Sequence, residues 1–231
     1  MVPTEVAGPV VRNNRRARLL HTGFYLVTLV LLFTGWWLLS GHEGRPSVLA
    51  RLVDEPDVEL HRQAGWALAA LAAVAVTLGA RGALTFVRET LRVNRGDGRW
   101  LARLPLGAVT GRFGHHRGHF DPGQRVANLA FVATLGTLIG TGIGLTTVHG
   151  GPTFVWLDHA HRVATYVLAV LVAGHVLVAL GILPGYRGVW RAMHLGGRVP
   201  AATVRRLWPE QPELRAPEAP APAEAERAVP R

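Results

Sequence analysis

Four apolar blocks decide what this chain can become. They run from about Leu19 to Leu39, Leu60 to Gly79, Val126 to Val148 and Val155 to Leu183. Each is close to the roughly 20 residues a helix needs to cross a hydrocarbon core about 30 Å thick. A chain that is 49% hydrophobic can still be a globule, but a globule spreads its apolar residues over short amphipathic runs. Here they are concentrated. Only helices and closed barrels satisfy their own backbone in lipid, and blocks this long predict helices. The expected class is all-α: an integral membrane four-helix bundle over residues 19–183. Trp36, Trp37, Trp66 and Trp156 fall near block ends, where indoles favour the membrane interface.

The segments between blocks predict the orientation. The formal net charge is +10, and its arginines lie between apolar blocks rather than along one soluble face. That argues against nucleic acid and for a positive-inside pattern. Residues 1–18 carry Arg12, Arg15, Arg16 and Arg18; the long middle loop runs from Arg81 to Arg117 with eight arginines; the segment 184–208 carries Arg187, Arg191, Arg198, Arg205 and Arg206. All three are expected in the cytoplasm, so both termini are inside. The loop with Glu43, Asp54, Glu55, Asp57 and Glu59, and the short loop near Asp158, are expected outside. The middle loop and residues 184–208 read as partly helical, amphipathic surface segments, and residues 209–231 as a disordered Pro-, Ala- and Glu-rich tail. The first apolar run is too long for a cleaved signal and is expected to be retained. The Arg, Ala and Gly bias suggests a high-GC bacterial genome, and hence a multi-pass protein of a bacterial inner membrane.

Cysteine is absent, which excludes disulfides, thiol catalysis and Cys-held iron–sulfur clusters within this chain. Histidine is the remaining metal ligand of interest. His161 and His175 lie fourteen residues apart in the fourth block. On a helix that is about 21 Å and nearly four turns, so both rings leave the same face at different depths. With the orientation above, His61 sits near the outer start of the second block and His21 near the inner start of the first. The four sort into two depth-matched pairs, His61 with His161 and His21 with His175, each joining two helices. Two haem groups with bis-imidazole ligation are the expected cofactors. His159 lies sixteen residues before His175, about 160° round the helix, and is expected to face away. His42 and His149 fall in outer loops. The His115–His116–His119 cluster reads as a solvated loop rather than a metal site, and His194 has no assigned role. Gly136, Gly140 and Gly144, with Gly142, are at once a packing seam and room for a flat macrocycle. Arg18 and Arg162 adjoin ligands and either pair with haem propionates or serve topology alone.

Over roughly Arg12 to Trp208 the chain resembles the gamma subunit of respiratory formate dehydrogenases, within the wider four-helix di-haem cytochrome b group that also serves hydrogenases. The resemblance rests on R-x-x-H (Arg18–His21), L-H-x-x-x-G (Leu60, His61, Gly65), F-D-P-G-Q-R (Phe120–Arg125), the pair Thr141–Gly142, the H-x13-H of the fourth block and the tail motif G-Y-R-G-V-W-R-A-M. It implies an iron–sulfur beta subunit and a molybdopterin catalytic subunit as partners on the outer side. It implies two haem b and, near the cytoplasm, menaquinone or ubiquinone as acceptor. The quinone site would involve Asp121, Gly123 and Gln124. Asp121 stands where the family usually carries Asn, so it is either a proton carrier or a helix N-cap carboxylate. No formate-oxidising residues belong to this chain. Three other readings stay open: a cytochrome b subunit of hydrogenase or of another molybdopterin oxidoreductase, a stand-alone b561-like cytochrome, and a haem-free membrane transporter or receptor.

Overall fold

The computed structural model describes residues 8–42 and 44–208. Glu43, residues 1–7 and the Pro-rich tail from residue 209 lie outside the described residues. Four long helices follow the four apolar blocks: α1 (Arg15–Leu39), α3 (Asp57–Thr77), α6 (Pro122–Thr147) and α7 (Gly151–Ala179). Between α1 and α3 lies the short helix α2 (Val48–Val53); α4 (Ala80–Thr90) and α5 (Asp97–Thr110) occupy the middle loop. Helix starts follow local chemistry. Asn14 caps α1 by accepting from the Ala17 N–H at 2.9 Å, and Asp121 caps α6 by accepting from Gln124, with Pro122 filling the first helical position.

Helices α1, α6 and α7 are each long and apolar enough to cross a membrane. Helix α3 meets the same criterion only together with α4, from which it is bent by 93°. Its opening turns carry His61, Arg62 and Gln63, which lower its mean hydropathy. Within the apolar windows of α1, α6 and α7, only 6%, 17% and 11% of residues are buried inside the molecule. Leu26, Leu29, Val132 and Val170 are exposed along their flanks. Such a surface requires an apolar solvent, and the bundle is that of a membrane protein.

Packing groups the helices into two hairpins, α1 with α3 and α6 with α7; contacts across the two are sparse. At the end where α1 begins and α7 stops, the chain builds a small second core. Val199 and Val204 are fully buried there, beside Val10, Tyr186, Leu207 and Trp208. This corrects the expectation of a surface-lying amphipathic segment over residues 184–208. It folds instead as a 3-10 turn (Pro184–Tyr186), a four-residue helix α8 (Arg191–His194), a strand β2 (Arg198–Val199) and the helix α9 (Ala201–Leu207). Gly188, Gly196 and Gly197 take positive φ and break any continuous helix. Strand β2 pairs antiparallel with β1 (Val10–Val11), which ties the start of the described chain to its end.

Candidate functional site

His61 opens α3 and His161 lies in the first half of α7, so the antiparallel packing brings their rings to the same end of the bundle. Their centroids are 6.2 Å apart. At the opposite end His21 of α1 faces His175 of α7 at 6.0 Å. A metal-bound imidazole nitrogen sits about 2 Å from its metal and the ring centre about 1.1 Å further back, so two imidazoles with room for one metal between them would have centres about 6.2 Å apart. Both pairs have that separation. Among the described residues no three His, Asp or Glu side chains cluster to hold a bare metal ion. Two histidines are what an iron already held by a porphyrin requires, and the donor set therefore fits haem.

The His61 end is built from two similar halves. Thr34, fully buried on α1, lies with Oγ1 2.9 Å from the His61 Nδ1; Thr141, buried on α6, lies 2.9 Å from the His161 Nδ1. Each threonine is followed by a glycine against the ring. A Cβ on Gly35 would stand 3.2 Å from the His61 Cε1, and one on Gly142 would stand 3.5 Å from the His161 Cε1. Thr141–Gly142 is one of the motifs legible in the sequence, and Thr34–Gly35 is its unrecognised counterpart. The signal was present: a Thr-Gly pair in the helix before each of these histidines.

The His21 end is less symmetric. The His21 Nδ1 is buried without a hydrogen-bond partner among the described residues. Tyr25 and His194 crowd the ring at 5.8 and 6.3 Å, and Phe131 stands edge-on to His175 at 5.7 Å. His194, which the sequence left without a role, thus reaches the His21–His175 pair. Beside it a cavity of about 240 Å³ is lined by Arg15, Arg18, Leu19, Thr22, Met193 and His194. The buried Nε of Arg18 has no partner there among the described residues, a position suited to a carboxylate such as a haem propionate. Arg162 is placed differently: its Nε pairs with Asp158 at 3.0 Å on the surface of α7. His159 lines a shallow groove between α6 and α7 with Thr134, Thr137 and Val163, away from the histidine column.

Asp121, Gly123 and Gln124 begin α6 near the second core. The Asp121 carboxylate is 5% exposed and accepts from the Gln124 N–H at 2.8 Å, the N-cap geometry. Burial pushes its pKa above the usual carboxylate range, against the opposing pull of the Gln124 and Gly123 N–H groups, His116 and Arg125. The Tyr186 phenol, itself buried and close to that carboxylate, is pushed up as well. The Gln124 Oε1 is buried and unpartnered among the described residues. His115 and His119 are exposed, as expected of a solvated cluster, but His116 departs from that expectation, being only 4% exposed. Its Nε2 donates to the Leu207 carbonyl at 2.7 Å, and its buried Nδ1 has no partner among the described residues.

A family model described as prokaryotic cytochrome b561 matches residues 12–196. No curated protein matches the chain.

Proposed function

The chain belongs to the prokaryotic cytochrome b561 family, and from that premise we propose that it is the di-haem membrane subunit of a formate dehydrogenase-like complex. Family membership makes it a bacterial membrane protein that binds haem b and transfers electrons. The number of haems, the partners and the acceptor are our reading. The observation that carries it is the pair of cross-hairpin histidine couples at opposite ends of the bundle, 6.2 and 6.0 Å between ring centres.

His61 with His161, and His21 with His175, would each hold one haem b, which supplies a one-electron carrier when bound. Arg18, with Arg15 beside it, offers positive charge to a propionate at the His21 end. The two ligands on α7 lie fourteen residues apart, about 21 Å along the helix, most of the hydrocarbon thickness. We place both termini in the cytoplasm on the arginine distribution. An iron–sulfur subunit then docks outside, at the His61 end, with a molybdopterin subunit beyond it. Quinone, as menaquinone or ubiquinone, is reduced at the His21 end near Asp121, Gly123 and Gln124. With its pKa raised, Asp121 can hold the kind of proton that quinone reduction consumes. Carrying one electron inward against 100 mV stores about 2.3 kcal/mol.

A pyridine haemochromogen assay on the purified chain tests the core of this reading. About two haem b per chain are expected. His61→Ala or His161→Ala should leave the inner haem, and His21→Ala or His175→Ala the outer one. A chain without haem, or a variant series in which His159 matters and His161 does not, would overturn the assignment. Co-purification of an iron–sulfur subunit with the tagged native complex tests the partner; its absence from an intact, haem-loaded preparation favours the stand-alone cytochrome.

A further inference from the structure

We propose that Thr34 and Thr141 set the redox character of the His61–His161 centre by fixing both of its imidazoles as hydrogen-bond donors, making it the lower-potential centre of the two. The inference rests on the di-haem reading above and deepens it.

Counting hydroxyl protons supports the donor assignment. Thr34 Oγ1 donates its single hydrogen to the Val30 carbonyl at 2.8 Å, with Leu31 O a weaker second acceptor at 3.4 Å. Thr141 Oγ1 donates to the Thr137 carbonyl at 2.6 Å, with Leu138 O at 3.3 Å. Each hydroxyl also lies 2.9 Å from a ring nitrogen, where it can accept while its own hydrogen stays on the helix carbonyl. A neutral ring that offers its Nε2 to a metal keeps its one proton on Nδ1, so in the haem-loaded protein the Nδ1 donates and the hydroxyl accepts. An N–H that donates from the far side of a ligating imidazole makes the ring a stronger electron donor. A hydroxyl already polarised by its own donation is the better acceptor. Stronger donation favours ferric over ferrous iron and lowers the potential.

The other centre lacks this arrangement on one side at least, because the His21 Nδ1 is buried with no partner among the described residues. The hairpins explain why. Thr34 and Thr141 end the first helix of each hairpin, and His61 and His161 open the second, so the motif occurs twice at one end. Counting back thirteen residues from Thr141, as from Thr34 to His21, reaches Asn128 rather than a histidine. The repeat therefore breaks at the inner end, and the two centres differ in their surroundings.

The test uses the haem-loaded chain with Thr34→Val, Thr141→Val and the double variant, each matched by serine. Valine keeps the shape and removes the acceptor; serine keeps the hydroxyl. Redox titration followed by optical and paramagnetic resonance spectra reads both centres separately. The lower midpoint potential should rise in each valine variant, rise furthest in the double variant, and return in the serine variants. The higher one should not move. If a valine variant fails to load haem, its serine partner should load at the unaltered potential. A serine variant that also fails shows that the threonine acts through its methyl group, which overturns the proposal. Two haems with unmoved potentials in the valine variants refute this inference alone, whereas a colourless parent chain refutes it together with the haem reading.

Discussion

Arg125 sits in the first turn of α6 and is 4% exposed. Its guanidinium makes four hydrogen bonds: Nε to the Phe120 carbonyl at 3.0 Å, Nη1 to the Arg92 carbonyl at 2.9 Å and to Asp97 Oδ2 at 2.7 Å, and Nη2 to the Arg117 carbonyl at 2.6 Å. One cation thus fastens the end of α4, the start of α5 and the His-rich loop to the base of α6. Arg125→Met keeps much of the volume and removes every bond. Hydrogen bonds to a charged group contribute about 1.5–3 kcal/mol each, but Arg92 and Arg117 are exposed, so water can reach part of what is left unpaired. The better guide is the removal of one partner from a buried ion pair, about 3–5 kcal/mol. For a chain of this size that is a fall in Tm of roughly 10 °C. Differential scanning fluorimetry in detergent reads it, and limited trypsinolysis should newly cut between Arg92 and Arg117. Removing both charges with Arg125→Met and Asp97→Leu should cost less than Arg125→Met alone, because no carboxylate is orphaned. A Tm within about 2 °C of the parent and unchanged cleavage would refute the argument.

Three further outcomes follow from geometry. Gly35→Ala should disturb the His61 ring and lower outer haem occupancy, while Gly142→Ala should be nearly silent, since its Cβ would meet the His161 ring at ordinary contact distance and that on Gly35 would not; equal haem content in both would count against close packing on the His61 ring. Asp121→Asn should keep the cap on Gln124 and cost little stability at neutral pH, whereas Asp121→Ala should lose about 1 kcal/mol of capping. Because the Asp121 pKa is raised in the folded chain, its ionisation destabilises the fold as pH climbs through the normal carboxylate range, so Asp121→Asn should flatten the fall in Tm above that range; a parallel pH–Tm curve would contradict this. His159→Ala should retain both haems, and haemochromogen content reads that directly.

Much of this arrangement was legible because a bilayer writes itself into composition. The four blocks matched α1, α3, α6 and α7 in position, because long apolar runs form helices, although α3 is apolar enough to span only together with α4. Helical periodicity placed His161 and His175 on one face, and alternation of direction paired them with His61 and His21. What the sequence hid was mostly long-range. The bond from His116 to Leu207 spans 91 residues, and nothing local distinguishes a buried loop histidine from a wet one. Strands of two residues, Val10–Val11 and Arg198–Val199, are too short for any alternation to register. Arg125 stood in the sequence only as the last residue of F-D-P-G-Q-R, and nothing local announces that it is buried with four hydrogen bonds. Thr34 was legible in principle, but a lone threonine in an apolar helix more often bonds only its own backbone, and only the repeat at Thr141 gives it meaning.

The two hairpins touch each other little, yet both histidine pairs bridge them: His61 on α3 and His21 on α1 each reach across to α7. Under the di-haem proposal, the histidine pairs would let porphyrin act as a rivet between halves that have few side chains of their own for the task. A newly inserted polypeptide would remain two loosely associated hairpins until the metal arrived. The cell's supply of the pigment, more than the sequence's own folding free energy, would then govern how much finished subunit accumulates and how much is handed to membrane proteases.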